Sequence, residues 1–114
     1  MDKNNLDLAI DINTSPSKLE KLSGDENWRV RSWVAKNTST SVKTLEKLSG
    51  DENWEVRRGV ALNTSTSVKL LEKLSKDKDS WVRDAAKESY GKINKAYLYM
   101  DQLKKEEIGL VFKY

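Results

Sequence analysis

The chain has 114 residues and a net charge of +3, from 21 Lys and Arg against 18 Asp and Glu, which is the size of a single domain with a mild basic bias. It holds no Cys and no His, which excludes a disulfide framework, thiolate metal sites, the usual transition-metal ligands, and Ser-His-Asp or Cys-His nucleophilic machinery. Hydrophobic residues make up 37% and charged residues 34%, a balance suited to an elongated body of stacked units, while four Trp and a regular recurrence of Leu and Val argue against disorder.

At the N-terminus Leu6, Leu8, Ala9 and Ile12 predict a partial helix that caps whatever follows, within a segment spanning residues 1–14. No apolar run here is flanked like a signal peptide, and no stretch of the chain is long enough to span a bilayer, so the expected address is cytoplasmic, without membrane association. Pro16 stands at the first turn of the next predicted helix, where its missing N–H costs nothing.

From there an internal repeat dominates. Leu19-Glu20-Lys21-Leu22-Ser23-Gly24-Asp25-Glu26-Asn27-Trp28 returns unchanged as Leu45 to Trp54, and a looser copy starts at Leu71-Glu72-Lys73-Leu74-Ser75. Leu19, Leu45 and Leu71 step by 26 residues, as do Val30, Val56 and Val82. The units are placed at 15–40, 41–66 and 67–90, followed by a C-terminal capping helix and apolar tail over 91–114.

Within a unit, Val42, Leu45 and Leu48 predict a short helix with one apolar edge, N-capped by Thr40 or Ser41 and closed by Gly50 in a left-handed conformation. A second helix follows, with Asp51 or Asn53 as N-cap and Val56, Val60 and Ala61 facing inward. Asn63, which tolerates a left-handed turn, is expected to end it. Past Val82 the apolar residues keep helical spacing through Ala86, Tyr90, Ile93, Tyr97 and Met100, predicting a longer helix over the last unit that Gly91 breaks in two. The tail from Ile108 to Tyr114 is apolar and is expected either to fold back onto the stack or to meet a partner. Through that tail the chain is read as a monomer or a weak homo-oligomer.

The run Asp51-x-x-x-x-Val56-Arg57-x-x-Val60-Ala61-x-Asn63, followed by Thr66-Ser67-x-x-x-Leu71-x-x-Leu74, resembles the leucine-rich repeat variant and, more broadly, HEAT and armadillo repeats. The resemblance covers residues from about 8 to 90. It implies an all-α, right-handed α-α superhelix, or solenoid, of about three 26-residue helix-turn-helix repeats with capping segments at both ends, serving as an interaction surface. Two of the three connectors carry Ser and Thr where that family commonly has Pro. The iron–sulfur segment that accompanies the family's best-known member has no counterpart in a chain without Cys, so no cofactor and no metal are expected.

Residues 19–41 and 45–67 differ at four of 23 positions: Arg29 against Glu55, Ser32 against Arg58, Trp33 against Gly59, and Lys36 against Leu62. These stand at i, i+3, i+4 and i+7, one stripe of a helix, and the third unit continues the columns with Trp81, Asp84, Ala85 and Glu88. A face that reads a partner shows this pattern, and so does drift on a solvated stripe after duplication. Trp and Arg favour recognition because they anchor interfaces, although Trp33 also has the size to fill a groove between helices. Arg31, Arg57 and Arg83 each follow Asp25, Asp51 and Asp77 by six residues. They form either an Asp–Arg ladder that ties units together or a row of guanidinium groups for phosphates.

The expected activity is non-enzymatic: binding of a protein or peptide through the stripe. Nucleic acid is the second reading, held by Arg29, Arg31, Arg57, Arg58 and Arg83 with Lys92, Lys95, Lys104 and Lys105, and the interleaved Glu55, Asp84 and Glu88 oppose it.

Overall fold

The computed structural model describes residues 3–112, with side chains described for 3–96 and 98–104. The described residues are all-helical: α1 (Asn5–Ile10), α2 (Pro16–Leu22), α3 (Trp28–Lys36), α4 (Val42–Leu48), α5 (Trp54–Leu62), α6 (Val68–Leu74) and α7 (Ser80–Phe112).

The three seven-residue helices α2, α4 and α6 begin alike, with the Oγ of Ser15, Ser41 and Ser67 accepting the N–H three residues on. Each buries a Leu pair, Leu19 and Leu22, Leu45 and Leu48, Leu71 and Leu74. Val42 was expected on that apolar edge but lies exposed at the first turn, and the column of Thr44 and Leu70 is buried instead. Gly50 does not close α4 in a left-handed conformation, because no glycine among the described residues has positive φ. The helix tightens through right-handed turns, with Ser49 N–H bonded to Leu45 O and Gly50 N–H to Lys47 O.

The nine-residue helices α3 and α5 are N-capped by Asn27 and Asn53, whose Oδ1 atoms accept the N–H groups of Arg29 and Glu55. Asp25 and Asp51 sit two residues earlier, accepting from the N–H of the capping Asn itself. At the far ends Asn37 and Asn63 adopt extended backbone, ψ 122 and 124, and Asn63 does not make the left-handed turn expected of it. The reason lies in their amides. Asn63 Oδ1 accepts the Ser65 N–H at 2.8 Å, while its Nδ2 donates to Ala35 O at 2.8 Å and Asn37 O at 3.0 Å, 28 and 26 residues back. Asn37 repeats the arrangement on Ser39 N–H, Ala9 O and Asp11 O. A buried carboxamide thus satisfies the orphan carbonyls of the preceding helix end.

The same 26-residue step reaches α1. Thr14, Thr40 and Thr66 each donate Oγ1 to the carbonyl six residues earlier, at Leu8, Val34 and Val60. Residues 4–15 are therefore the second half of a unit, in register with the rest. Within it Ala9 is buried and Leu6 and Leu8 pack on the core, while Ile12, expected to join them, is exposed.

α3 packs on α1 and on α5, and α5 packs on α7; α6 lies against α7. One continuous core results, running from Ala9 through Leu19, Val34, Leu45, Val60 and Leu71 to Ala86. The long dimension is 66 Å and the radius of gyration 17.7 Å, well above the ~13 Å of a compact chain of this length. α7 contributes much of that length. It continues unbroken for 33 residues, so Gly91 does not divide it and no structural boundary falls between residues 90 and 91. Helices α3 and α5 end at an Asn-Thr-Ser-Thr connector, and Ser89-Tyr90-Gly91-Lys92 replaces it in α7. Ser89 Oγ still donates to Ala61 O, yet it supplies no carboxamide to turn the chain.

Candidate interaction surface

Two sets of side chains separate on this frame. The first is committed to holding the units together. Arg31 donates Nε to Asp51 Oδ2 at 2.8 Å and Nη2 to Asp51 Oδ1 at 3.2 Å, and its Nη1 donates to the carbonyls of Asp25 and Glu26. Arg57 does the same to Asp77 and to the carbonyls of Asp51 and Glu52. Each guanidinium fork spans from its own loop to the loop of the following unit, in the bidentate geometry that favours Arg over Lys.

These pairs are largely buried. The hydrogen bond to Asp51 holds the Arg31 pKa above its ordinary value against the opposing effect of burial. At Asp77 burial pushes the carboxyl pKa upward, but the hydrogen bonds from Arg57 and from the Asp79 N–H outweigh it, and the net shift is downward. At the N-terminal end Asn5 occupies the place of the arginine, donating Nδ2 to Asp25 Oδ2. At the other end Arg83 donates Nη1 to Asp77 O, and among the described residues no carboxylate closes its fork. A second row joins the first helices, with Lys47 Nζ donating to Ser23 Oγ and Lys73 Nζ to Ser49 Oγ.

The second set is the variable stripe. Arg29, Trp33, Lys36, Leu62, Trp81, Asp84 and Glu88 are exposed, and Glu55 and Arg58 half-buried. Trp81 is 62% and Trp33 40% exposed, large apolar areas to leave in water. Cations lie over two indoles: Arg29 Cζ stands 5.1 Å from the Trp28 ring centroid and Lys36 Nζ 5.0 Å from that of Trp33. Trp28 packs against the core, and Trp54, its counterpart in the second unit, is 37% exposed.

The stripe is not uniformly open, however. Ser32 is 5% exposed and lies in the packed interior, so it does not belong to the surface the spacing assigned it to. Gly59 is buried too: a Cβ there would stand 2.9 Å from Ala35 Cβ and 3.2 Å from Ser32 O. Ala85, next in the same column, is also buried. Part of the difference between units is thus set by how closely α5 approaches α3, and not by exposure.

The carboxamides of Asn37 and Asn63 were not assigned this bridging role from sequence. The signal present was the Asn column itself, which steps by 26 and stands immediately after each second helix. Their burial also removes Asn37 and Asn63 as glycan acceptors, a role their Asn-Thr-Ser context would otherwise permit.

Among the described residues no group of three or more His, Cys, Asp or Glu is placed to hold a metal ion, and no helix is long and apolar enough to cross a membrane. Comparison with protein-family models, with curated proteins and with solved structures finds no match to this chain.

Proposed function

We propose that the chain is a right-handed α-α superhelix of 26-residue units, akin to the leucine-rich repeat variant and HEAT-like proteins, and that it binds a protein or peptide without catalysing a reaction. The recognition surface consists of Arg29, Trp33, Lys36, Glu55, Arg58, Leu62, Trp81, Asp84 and Glu88. The observation that carries this reading is the division of labour among positions. The repeated Asp, Arg, Asn, Thr, Leu and Val columns that join the units are hydrogen-bonded or buried, whereas most of the side chains that change are exposed and include two open indoles.

A phosphate backbone is a poorer fit. The guanidinium groups of Arg31 and Arg57 are occupied by Asp51 and Asp77, and the cations left on the stripe are interleaved with Glu55, Asp84 and Glu88. Mixed charge with exposed Trp and Leu matches the composition of protein interfaces.

The test is selection of binders from a displayed random-peptide library on the wild type and on a variant with Arg29, Trp33, Leu62 and Trp81 changed to Ala, both shown to be folded by circular dichroism. Peptides that bind the wild type at micromolar affinity and lose at least tenfold on the folded variant support the reading. Equal binding to both chains refutes it, and retention of oligonucleotides with a steep loss in salt would favour the phosphate reading instead.

A further inference from the structure

We propose that the projecting part of α7 is a self-complementary segment that pairs antiparallel with α7 of a second copy of this chain.

The stripe of α7 that packs on α5 and α6 runs through Val82, Ala86 and Ser89. The same register, at steps of three and four, continues through Ile93, Tyr97, Met100 and Lys104. The body ends near residue 94, where Tyr90, Ile93 and Asn94 still border Val68 at the start of α6. Beyond that point the helix carries on to Phe112. Met100 and Leu103 are 57% and 41% exposed there. About 18 residues, or roughly 27 Å of helix, thus extend a core-facing stripe past the core that covers its first half. A helix of that length is marginal by itself in water, which makes a partner for this face worth several turns of helix stability.

The choice of partner follows from the order of charges. Lys104-Lys105-Glu106-Glu107 is followed by an apolar segment and preceded by one. Laid antiparallel about the middle of this tetrad, a second copy sets Lys104 opposite Glu107, the two members of the tetrad in the register of the stripe, and the two-fold axis repeats the pairing. The same alignment sets Leu103 opposite Ile108 and Met100 opposite Val111, apolar against apolar on both sides of the charges. A parallel alignment sets Lys against Lys and Glu against Glu, which is unfavourable. The antiparallel arrangement also carries the two bodies to opposite ends, and its contact is isologous, as a two-fold dimer requires. The overlap is short, so the dimer is concentration-dependent.

Sedimentation velocity over micromolar to millimolar concentrations tests this on the full chain. The wild type is expected to pass from monomer to dimer. An acidic variant (Lys104→Glu) and a basic variant (Glu107→Lys) are each expected to dimerise about tenfold more weakly alone, and to recover wild-type association when mixed. Orientation is read by cross-linking, since the chain has no Cys of its own. A Met100→Cys chain should form disulfides with a Val111→Cys chain and not with itself, because antiparallel pairing holds two copies of residue 100 about 16 Å apart along the axis. A wild type that stays monomeric at every concentration, charge variants that dimerise alone as the wild type does, or self-cross-linking at residue 100 overturns the proposal.

Discussion

Replacement of Asn63 by Ala removes one side chain and unsettles two units. Asn63 is 4% exposed, and its carboxamide makes three hydrogen bonds, to Ala35 O, Asn37 O and the Ser65 N–H. The three losses are unequal. Ala35 O is left buried, because the N–H four residues on, at Ser39, is turned to Asn37 Oδ1. Asn37 O keeps the Thr40 N–H at 3.0 Å, and Ser65 is exposed enough for water to replace its partner. With one fully stranded acceptor and two partly compensated groups, the cost is about 3 kcal/mol, a large part of the ~5–15 kcal/mol that stabilises a domain. Asn63→Asp should cost at least as much, since it keeps the acceptor for Ser65 N–H but directs a carboxylate oxygen at two carbonyls. Urea denaturation followed by circular dichroism measures both variants against wild type. A loss below about 1 kcal/mol for Asn63→Ala would refute the view that this carboxamide ties the second helices together.

Two glycines separate by what surrounds them. Gly59→Ala drives a Cβ to 2.9 Å from Ala35 Cβ and should destabilise by about 1–3 kcal/mol in the same denaturation assay. Gly91→Ala meets nothing within 4 Å in mid-helix and should stabilise by about 0.5–1 kcal/mol; a lower melting temperature for this variant would contradict the continuous α7. Asp77 has a lowered pKa in the folded chain, so its contribution to stability is complete above the ordinary carboxylate value of about 3.9 and is lost as pH falls through the folded value. Asp77→Asn should therefore flatten part of the acid limb of a stability–pH profile, and an unchanged slope below pH 4 would count against the Arg57–Asp77 pair.

The legible parts of this fold are those whose cause is local. The 26-residue step, the Ser caps and the buried Leu and Val columns follow from side chains acting on backbone within a turn or two, and each can be read from spacing. Asn63 was legible as a helix end but not as a bridge. Its amide reaches carbonyls 26 and 28 residues away, while the local rule offered a left-handed turn that the backbone does not take. Gly59 was misread for a related reason. In a comparison of units it looks like one more change on a solvated stripe, and only the approach of α3 shows that a side chain has no room there. The half unit at the N-terminus was written in Thr14, which heads the column of Thr40 and Thr66. It passed unread because its arginine is replaced by Asn5, a shorter donor that still reaches Asp25.

The C-terminal end follows from a few replacements acting together. On α3 the side facing the next unit carries Ser32, Ala35 and Lys36, the groups that meet Gly59. The matching positions of α7 are Asp84, Lys87 and Glu88, all exposed. A further unit stacked there would press on Asp84 and Lys87 where the earlier interface buries Ser32 and Ala35, and so would desolvate two charges in place of two small neutral side chains. In the same stretch Ser89 stands in for the bridging Asn, and Lys92 for the Thr that would donate back to the helix. The residues that oppose stacking thus stand next to the ones that release the helix from its usual end. What emerges from the body is a continuation of α7 with its core-facing register intact, and the question of what covers that register is the one the charge-variant and cross-linking experiments answer.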